Sequence, residues 1–370
     1  MPASNRLYFL DNLRAFVVVL VVVLHGSITY MAYAPTWWYV LDPDNSEIFT
    51  QLVLLIDVPI MPILFFLAGY FALPSLHKRG PRSFLKDKFI HIGIPWMFGA
   101  LFLAPLITYM IYFSRGVPMS FLDFWRTDFW GPLFQQSVYW FLGVLLLMFV
   151  VLAWVNEWGD RLRGAPRSVR PTGKIFAVFI ALVSAGFLII SLSFGPDAWW
   201  HNYFLVYQPV RVPLYIGYFC LGIYAERHGW FTADGYKPEL GPWGWACVLS
   251  GLVYLAYRWG VANTPETTLP VKVGTALLYN AFCLAALIAG VALFQRKVNS
   301  AGAVWSSLAA NSYGIYYVHP LILYPLAYVF VGLSMPLIVK SPALIVLAIL
   351  LSWAVSALLL KRLPVLRAMF

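Results

Sequence analysis

The sequence predicts an all-α integral membrane protein, a polytopic bundle of about ten transmembrane helices with both termini in the cytoplasm. Of the 370 residues, 61% are hydrophobic and 11% are charged, whereas soluble domains contain about 45–50% apolar and about 25% charged residues. A soluble fold would have to expose most of this apolar surface to water. The composition also excludes disordered, collagen-like, coiled-coil and disulfide-stapled chains.

Ten stretches have the length of a membrane helix, which needs about 20 mostly apolar residues. They are, in chain order, 14–34, 49–73, 89–113, 137–155, 175–194, 207–225, 241–259, 271–294, 303–330 and 336–360. The sixth has Arg211 and Pro213 near its start, and the ninth contains Pro320 and Pro325. Because no internal repeat or long linker is visible, residues 1–370 are expected to form a single membrane-embedded domain.

The basic residues predict the orientation of these spans. With the N-terminus in the cytoplasm, 19 of the 25 Lys and Arg residues fall in inner segments, as the positive-inside rule requires. The outer segments are rich in tryptophan instead, namely Trp37, Trp38, Trp125, Trp130, Trp199 and Trp200. An interfacial aromatic belt is one interpretation of these residues, and stacking on sugar rings is the alternative.

His25 is the clearest ionisable residue inside a predicted span. A charged residue there costs about 2.5–3.5 kcal/mol on the most lenient insertion scale, so each such group is a functional candidate. Counted from Ala15, His25 lies about 15 Å deep, close to the bilayer midplane. Arg14 precedes it by eleven residues, which puts both on one helical stripe about 16 Å apart. The alternative is a packing histidine that bonds a neighbouring helix.

Two further ionisable residues lie at comparable predicted positions. Asp57 has a similar predicted depth and is followed by two prolines that loosen its helix. Its carboxylate is expected to hydrogen-bond an imidazole and fix its tautomer, and a protonated packing acid is the alternative. His319 follows several tyrosines and precedes Pro320. The polar wall of a pocket is one interpretation of this segment, and ordinary lipid-interface or packing tyrosines are the alternative.

A basic cluster marks the inner ends of the second and third spans. It consists of Lys78, Arg79, Arg82, Lys86, Lys88 and His91. Topology and anionic lipids account for part of it, but its density indicates a site for a phosphorylated cytoplasmic ligand. The chain has no glycine-rich phosphate loop, metal-ligand spacing or serine-hydrolase turn. Nucleotide hydrolysis and a metal site are therefore not predicted.

Five segments, in this order, resemble the membrane acyltransferase 3 family, in particular its branch related to glucan biosynthesis protein C. They are YFLDNLRAFVVVLVVVLHGS, MPILFFLAGYF, RSFLKDKFIHIGIPW, YWFLGVLLLM and NSYGIYYVHPLIL. The first carries the Arg, ten residues, then His that the family uses for catalysis. The sequence differs from the family where Asp57 stands in place of a frequent histidine, and where Lys86 and Lys88 stand in place of arginines.

The resemblance implies an O-acyltransferase. It would move an acyl group, of the acetyl or succinyl class, from cytoplasmic acyl-coenzyme A to a hydroxyl of an extracytoplasmic carbohydrate or glycan. Acyl-coenzyme A is then a co-substrate, with no tightly bound cofactor and no nucleic-acid partner. The multi-pass chain is expected in the plasma membrane, as a bacterial inner-membrane protein.

The site residues expected for this reaction fall into two groups. The catalytic candidates are His25, Asp57 and His319, and the substrate-binding candidates are Arg14, Arg82, Lys86, Lys88, Asn311 and Tyr317. His25 would act as a base or carry the acyl group, and either of the other two catalytic candidates would orient it. The basic residues would hold the donor phosphates, and Asn311 or Tyr317 would bond the developing oxyanion. The alternative function is a transporter or exporter of an anionic or acylated solute, because intramembrane charges and broken helices also suit transport.

Overall fold

A computed structural model describes residues 7–131, 133–158, 170–232, 234–262, 264–265, 268–367 and 369. Nine helical segments within these residues are long and apolar enough to cross a membrane. The prediction of an all-α, multi-pass membrane protein is thus confirmed. Four of the basic residues counted for the orientation, Arg6, Arg161, Arg163 and Arg167, lie outside the described residues.

The secondary structure is helical apart from one short hairpin in the described part of the chain. The helices are α1 (Tyr8–Ile28), α2 (Glu47–Arg79), α3 (Pro81–Lys88), α4 (Ile94–Phe98), α5 (Ala104–Ser114), α6 (Phe121–Thr127), α7 (Trp140–Trp158), α8 (Gly173–Ser191), α9 (Val212–Arg227), α10 (Leu240–Gly260), α11 (Leu269–Lys297), α12 (Ala303–Val331), α13 (Leu337–Val355) and α14 (Pro364–Arg367). The strands β1 (Trp200–His201) and β2 (Val206–Tyr207) pair antiparallel.

The third and sixth predicted spans depart from a regular α-helix. The third is one helical rod from α3 to α5, interrupted by π turns at Phe89–Gly93 and Gly99–Leu103. Such turns are often found at functional sites. The sixth span, α9, has only 16 residues. A 3₁₀ turn, Pro209–Arg211, precedes it and lengthens the segment to about 30 Å.

Helices α2 and α9 pack more extensively than any other pair. Their backbones meet at two glycines. A Cβ atom at Gly69 would lie 2.1 Å from the carbonyl oxygen of Phe219, and one at Gly222 would lie 2.1 Å from that of Phe66. Any larger residue at either position would push the helices apart.

Helix α1 is central, because it packs against α2, α11, α12 and α13. It begins six residues before the predicted span. Asn12 lies in this additional part of the helix and donates to the carbonyls of Val298 (2.7 Å) and Ser300 (3.1 Å). These bonds accommodate its polar side chain inside the bundle. The helix also ends six residues earlier than predicted. The placement of His25 at the middle of its span is therefore corrected: it lies one turn from the outer end of α1.

The connection from α1 to α2 folds over this end of the bundle. It is hydrogen-bonded to the residue that follows α5: Arg115 donates to the carbonyls of Thr36 (2.8 Å) and Trp38 (2.9 Å). A buried ion pair joins Asp42 of the connection to Lys340 of α13 at 2.7 Å. These contacts hold two adjacent tryptophans, Trp37 and Trp38, beside His25.

Candidate active site

His25 and His319 contact each other directly. Nδ1 of His25 lies 2.8 Å from Nε2 of His319, and the two rings are nearly parallel, with 11° between their planes. His319 is fully buried, whereas His25 is partly exposed. The packing of α1 against α12 brings together two residues that sequence reasoning had singled out separately. The contact gives a ring nitrogen of His25 a partner on α12.

Pro320 determines which nitrogen of each ring carries a hydrogen. Proline has no N–H, so the carbonyl of Tyr316, four residues earlier, lacks its helical donor. Nδ1 of His319 donates to this carbonyl at 2.7 Å, and Nε2 of the neutral ring is then an acceptor. His25 consequently donates from Nδ1. The lone pair of its Nε2 atom remains available for chemistry.

His25 lines two cavities. The larger has a volume of about 860 Å³ and the smaller about 240 Å³. Trp38 and Trp140 lie on the wall of both. The rest of the smaller cavity is lined largely by residues 37–39, 133–138 and 199–206. The larger is lined largely by the last turns of α1, the α1–α2 connection and the first half of α2. The imidazole of His25 therefore faces space that opens toward the side predicted to be extracytoplasmic.

Asp57 is paired with Arg211 rather than with an imidazole. Nη2 of Arg211 lies 2.5 Å from Oδ2 of Asp57, and the guanidinium lies over the ring of Tyr279, 5.8 Å from its centroid. The expectation that Asp57 fixes the tautomer of His25 is therefore corrected. Sequence reasoning counted Arg211 only as an outer charge, although a cation at the start of an apolar span signals a buried partner. Both members of the ion pair line the larger cavity together with His25.

Asn311 and Tyr317 stabilise helix packing and line neither of these cavities. The Asn311 amide donates to the carbonyl of Ser307 at 2.8 Å and accepts from the hydroxyl of Ser356 at 3.0 Å. The Tyr317 hydroxyl donates to the carbonyl of Pro95 at 2.9 Å. The expectation that either residue bonds an oxyanion at His25 is therefore corrected, because their polar groups already join α12 to other helices.

Residues 7–359, nearly the whole chain, match a protein family described as "Acyltransferase domain". The chain belongs to this family. The chain is also similar to proteins named "Glucans biosynthesis protein C" from Escherichia coli strains K12 / DH10B and O9:H4 (strain HS). In each case 25% of the residues are identical over 275 residues, which cover 69% of this chain and 66% of the relative. The chain thus spans about two thirds of the length of these relatives. No solved structure matches it.

An indole N–H lies close to the histidine pair. The ring of Trp38 is centred 5.6 Å from that of His25, and Trp38 is only 5% exposed. Within the described residues its Nε1 atom has no hydrogen-bond partner, although buried donors are nearly always satisfied. An indole N–H can only donate, which suits it to an oxyanion. Sequence reasoning missed this buried donor because it treated Trp38 as one of several outer tryptophans.

The hydroxyl of Tyr39 joins the loop beside Trp38 to a second segment by hydrogen bonds. Burial raises the pKa of the Tyr39 hydroxyl, so the hydroxyl stays protonated at neutral pH and can donate. It bonds Oε1 of Gln135 at 2.9 Å and the hydroxyl of Ser137 at 3.2 Å. These bonds connect the α1–α2 connection to the segment that precedes α7, and both segments line the smaller cavity.

The predicted donor-binding residues lie at the other end of the bundle. Arg82 and Lys86 on α3 are exposed. Arg14 is partly exposed and forms an ion pair with Asp11 at 3.3 Å. Eleven helical residues separate Arg14 from His25, a rise of about 16 Å. These cations do not contact the histidine pair. Such a separation is expected if they hold the distant end of a long ligand.

Lys88 differs from its neighbours in the basic cluster. Its ammonium lies over the rings of Phe84 and Phe149, at 5.4 Å and 5.1 Å from their centroids, and 3.7 Å from a carboxylate oxygen of Asp87. Asp87 also binds Arg79. Sequence reasoning overlooked this acidic residue, which neutralises part of the cluster. Arg82 and Lys86 are thus better placed than Lys88 to contact a phosphate.

Proposed function

We propose that this protein transfers an acyl group from cytoplasmic acyl-coenzyme A to a hydroxyl of an extracytoplasmic carbohydrate. The observation that carries the proposal is the available Nε2 lone pair of His25, at the junction of two cavities and with the other nitrogen held by His319. Family membership favours this function over transport. The carbohydrate acceptor is proposed from the name of the relatives, Glucans biosynthesis protein C.

His25 acts as the general base in this reaction. Its Nε2 atom takes the proton from the acceptor hydroxyl as the oxygen attacks the thioester carbonyl. The tetrahedral intermediate then collapses, the carbon–sulfur bond breaks, and the imidazolium returns the proton to the thiolate of coenzyme A. His319 accepts the Nδ1–H of His25 throughout and so stabilises the imidazolium. The arrangement has the logic of a catalytic triad with an imidazole in place of the carboxylate.

The indole N–H of Trp38 donates to the oxyanion of the tetrahedral intermediate. Its lack of a partner within the described residues and its closeness to His25 support this role. A donor that is already in place when charge develops contributes about 2.7–4 kcal/mol to rate acceleration in other acyl-transfer enzymes.

The donor spans the bundle from its cytoplasmic end. The phosphates of coenzyme A contact the exposed cations Arg82 and Lys86, with Arg14 nearby. The long thiol arm then crosses the distance of about 16 Å that separates Arg14 from His25. The acyl group, of the acetyl or succinyl class, is presented to Nε2 of His25. The relatives from Escherichia coli support a bacterial inner-membrane location, where cytoplasmic donor and external acceptor are separated.

Reconstitution into vesicles tests the proposal. Acyl-coenzyme A labelled in the acyl group is supplied on the side of Lys86, and a soluble oligosaccharide on the other. The expected result is a labelled ester on the oligosaccharide, with one free coenzyme A released per ester. Label that crosses the membrane without ester formation would indicate transport and overturn the proposal. The His25→Ala variant, reconstituted in the same amount, serves as the matched control.

A further inference from the structure

The wall of the larger cavity is rich in tryptophan. Five tryptophans line it: Trp37, Trp38, Trp140, Trp199 and Trp259. Trp37 is 44% exposed and Trp259 is 64% exposed, so these two can present a ring face to a ligand. Three of the six outer tryptophans predicted from the sequence, Trp125, Trp130 and Trp200, do not line it. The other three, Trp37, Trp38 and Trp199, line the cavity, so the outer tryptophans do not all have the same surroundings.

The charged side chains that line the cavity are of both signs. Its charged lining consists of Glu47, Asp57, Asp197, Arg211 and Arg258. Three carboxylates and two guanidiniums give a formal charge of −1. Such a wall offers hydrogen-bond acceptors and donors but no excess of positive charge to attract a polyanion. It suits a neutral ligand that carries many hydroxyls.

Buried polar atoms beside the cavity also lack partners. Within the described residues, the hydroxyl of Thr50 and the Nε1 atom of Trp38 have none, and both residues line the cavity. Buried polar groups are rarely left unsatisfied in a folded protein. A polar ligand or ordered water in the cavity would satisfy them. This observation points to a ligand independently of the tryptophans.

We propose that the larger cavity is the acceptor-binding site and that it binds a neutral pyranose oligosaccharide. The exposed ring faces of Trp37 and Trp259 stack on the C–H faces of sugar rings and determine acceptor affinity. The carboxylates of Glu47 and Asp197 accept hydrogen bonds from sugar hydroxyls. The volume of about 860 Å³ lies near the upper end of the range for small-molecule sites. This inference rests on the proposed function, because it assigns the acceptor of that reaction.

The site also explains how a hydroxyl reaches the base. His25 and Trp38 lie on the cavity wall, so a sugar bound between Trp37 and Trp259 points hydroxyls toward Nε2 of His25. The Asp57–Arg211 ion pair lies on the same wall and presents fixed charges to neighbouring hydroxyls. Binding and chemistry are thereby joined in one continuous space.

Acceptor kinetics of single variants test the inference. The full-length protein is purified in detergent and assayed at saturating acyl-coenzyme A with a linear glucose pentasaccharide. Trp37→Ala and Trp259→Ala are each expected to raise KM for the pentasaccharide about tenfold, a change of about 1.4 kcal/mol, while kcat and KM for the donor stay unchanged. Trp37→Tyr, which keeps an aromatic face, is expected to recover most of the affinity.

Trp200→Ala is the matched control. Trp200 is 46% exposed and neighbours Trp199 in sequence, but it does not line the cavity. Its substitution is expected to leave acceptor KM unchanged. Equal effects of Trp200→Ala and Trp37→Ala, or no effect of either, would overturn the inference while the acyl transfer itself remains intact. A preference for a galacturonic acid pentasaccharide of equal length would also overturn it, since a polyanion does not suit this wall.

Binding measurements separate a failure of the inference from a failure of the proposed function. If the wild-type protein transfers no acyl group, the proposed function fails, and titration calorimetry with the glucose pentasaccharide then tests the cavity alone. Heat of binding that is lost in Trp37→Ala and kept in Trp200→Ala would support an oligosaccharide site. An absence of binding would overturn it.

Discussion

Nδ1 of His25 donates to Nε2 of His319 across 2.8 Å, and the acceptor state of that Nε2 follows from the bond between Nδ1 of His319 and the Tyr316 carbonyl. Three groups in series, a carbonyl and two imidazoles, therefore leave one lone pair exposed in the cavity. The carbonyl is available because residue 320 is proline. A feature often regarded as a helix distortion here sets the proton arrangement of the candidate base.

The first prediction concerns His25 itself. His25→Ala and His25→Gln are both expected to lower kcat for acyl transfer by about 10²–10⁴, because neither alanine nor glutamine accepts a proton at neutral pH. Both variants should remain folded, since one intramembrane hydrogen bond contributes only about 0.6 kcal/mol on average. Steady-state kinetics at matched membrane content checks this. Near-normal acylation by His25→Gln would rule out catalysis by this residue.

The second prediction concerns His319 as a positioning residue. His319→Ala is expected to lower kcat while KM for the acyl donor stays the same, because the Nδ1–H of His25 loses its acceptor. His319→Gln should recover part of kcat, since an amide oxygen can accept the same bond. A purely structural role would instead lower protein yield in both variants and give no selective recovery by glutamine.

Pro320 provides the third prediction. Pro320→Ala restores a backbone N–H that competes with Nδ1 of His319 for the carbonyl of Tyr316. We expect kcat to fall although no side chain that contacts substrate has changed. Pro325→Ala, in the same helix at an exposed position, is the control and should behave as wild type. Equal kinetics for the two proline variants would contradict the proposed control of the tautomer.

The fourth prediction concerns the indole of Trp38. Trp38→Phe keeps an aromatic ring in the buried position but removes the N–H. If this group bonds the oxyanion, kcat should fall about 10²–10³-fold with little change in either KM. The measurement is a full kinetic comparison with Trp140→Phe, because Trp140 lines the same cavities. A loss of the same size in both variants would indicate that ring packing, not the N–H of Trp38, matters.

The ion pair between Asp57 and Arg211 gives the fifth prediction. The side chains are 31% and 13% exposed, respectively. Asp57→Ala leaves a largely buried cation unpaired and is expected to destabilise the protein by about 3 kcal/mol, the lower end of the range for buried pairs. Replacing both partners, as in Asp57→Asn with Arg211→Gln, should recover much of this loss. Thermal unfolding in detergent measures the stability, and strictly additive losses would contradict the assignment.

The apolar spans could be read from the sequence because the bilayer thickness imposes their length. Six of the ten predicted spans agree within three residues at both ends with helical segments that are long and apolar enough to cross a membrane, and 49–73 and 89–113 lie inside longer such segments. The first is also such a segment, but α1 begins and ends six residues earlier than predicted. Its early start is possible because Asn12 is satisfied by two carbonyls that follow α11. The sixth is a shorter helix, because its first residues form a 3₁₀ turn. Hydropathy along the chain contains no information about such partners.

The sequence by itself determined the membrane class and singled out His25, Asp57 and His319, because an ionisable residue in an apolar span is conspicuous without any knowledge of its neighbours. Only the tertiary structure decided their partners. It paired His25 with His319 and Asp57 with Arg211, and it assigned Asn311 and Tyr317 to helix packing. The physical reason is that a hydrogen bond acts over about 3 Å, and such distances between residues hundreds of positions apart are set by how the helices pack and rotate against one another.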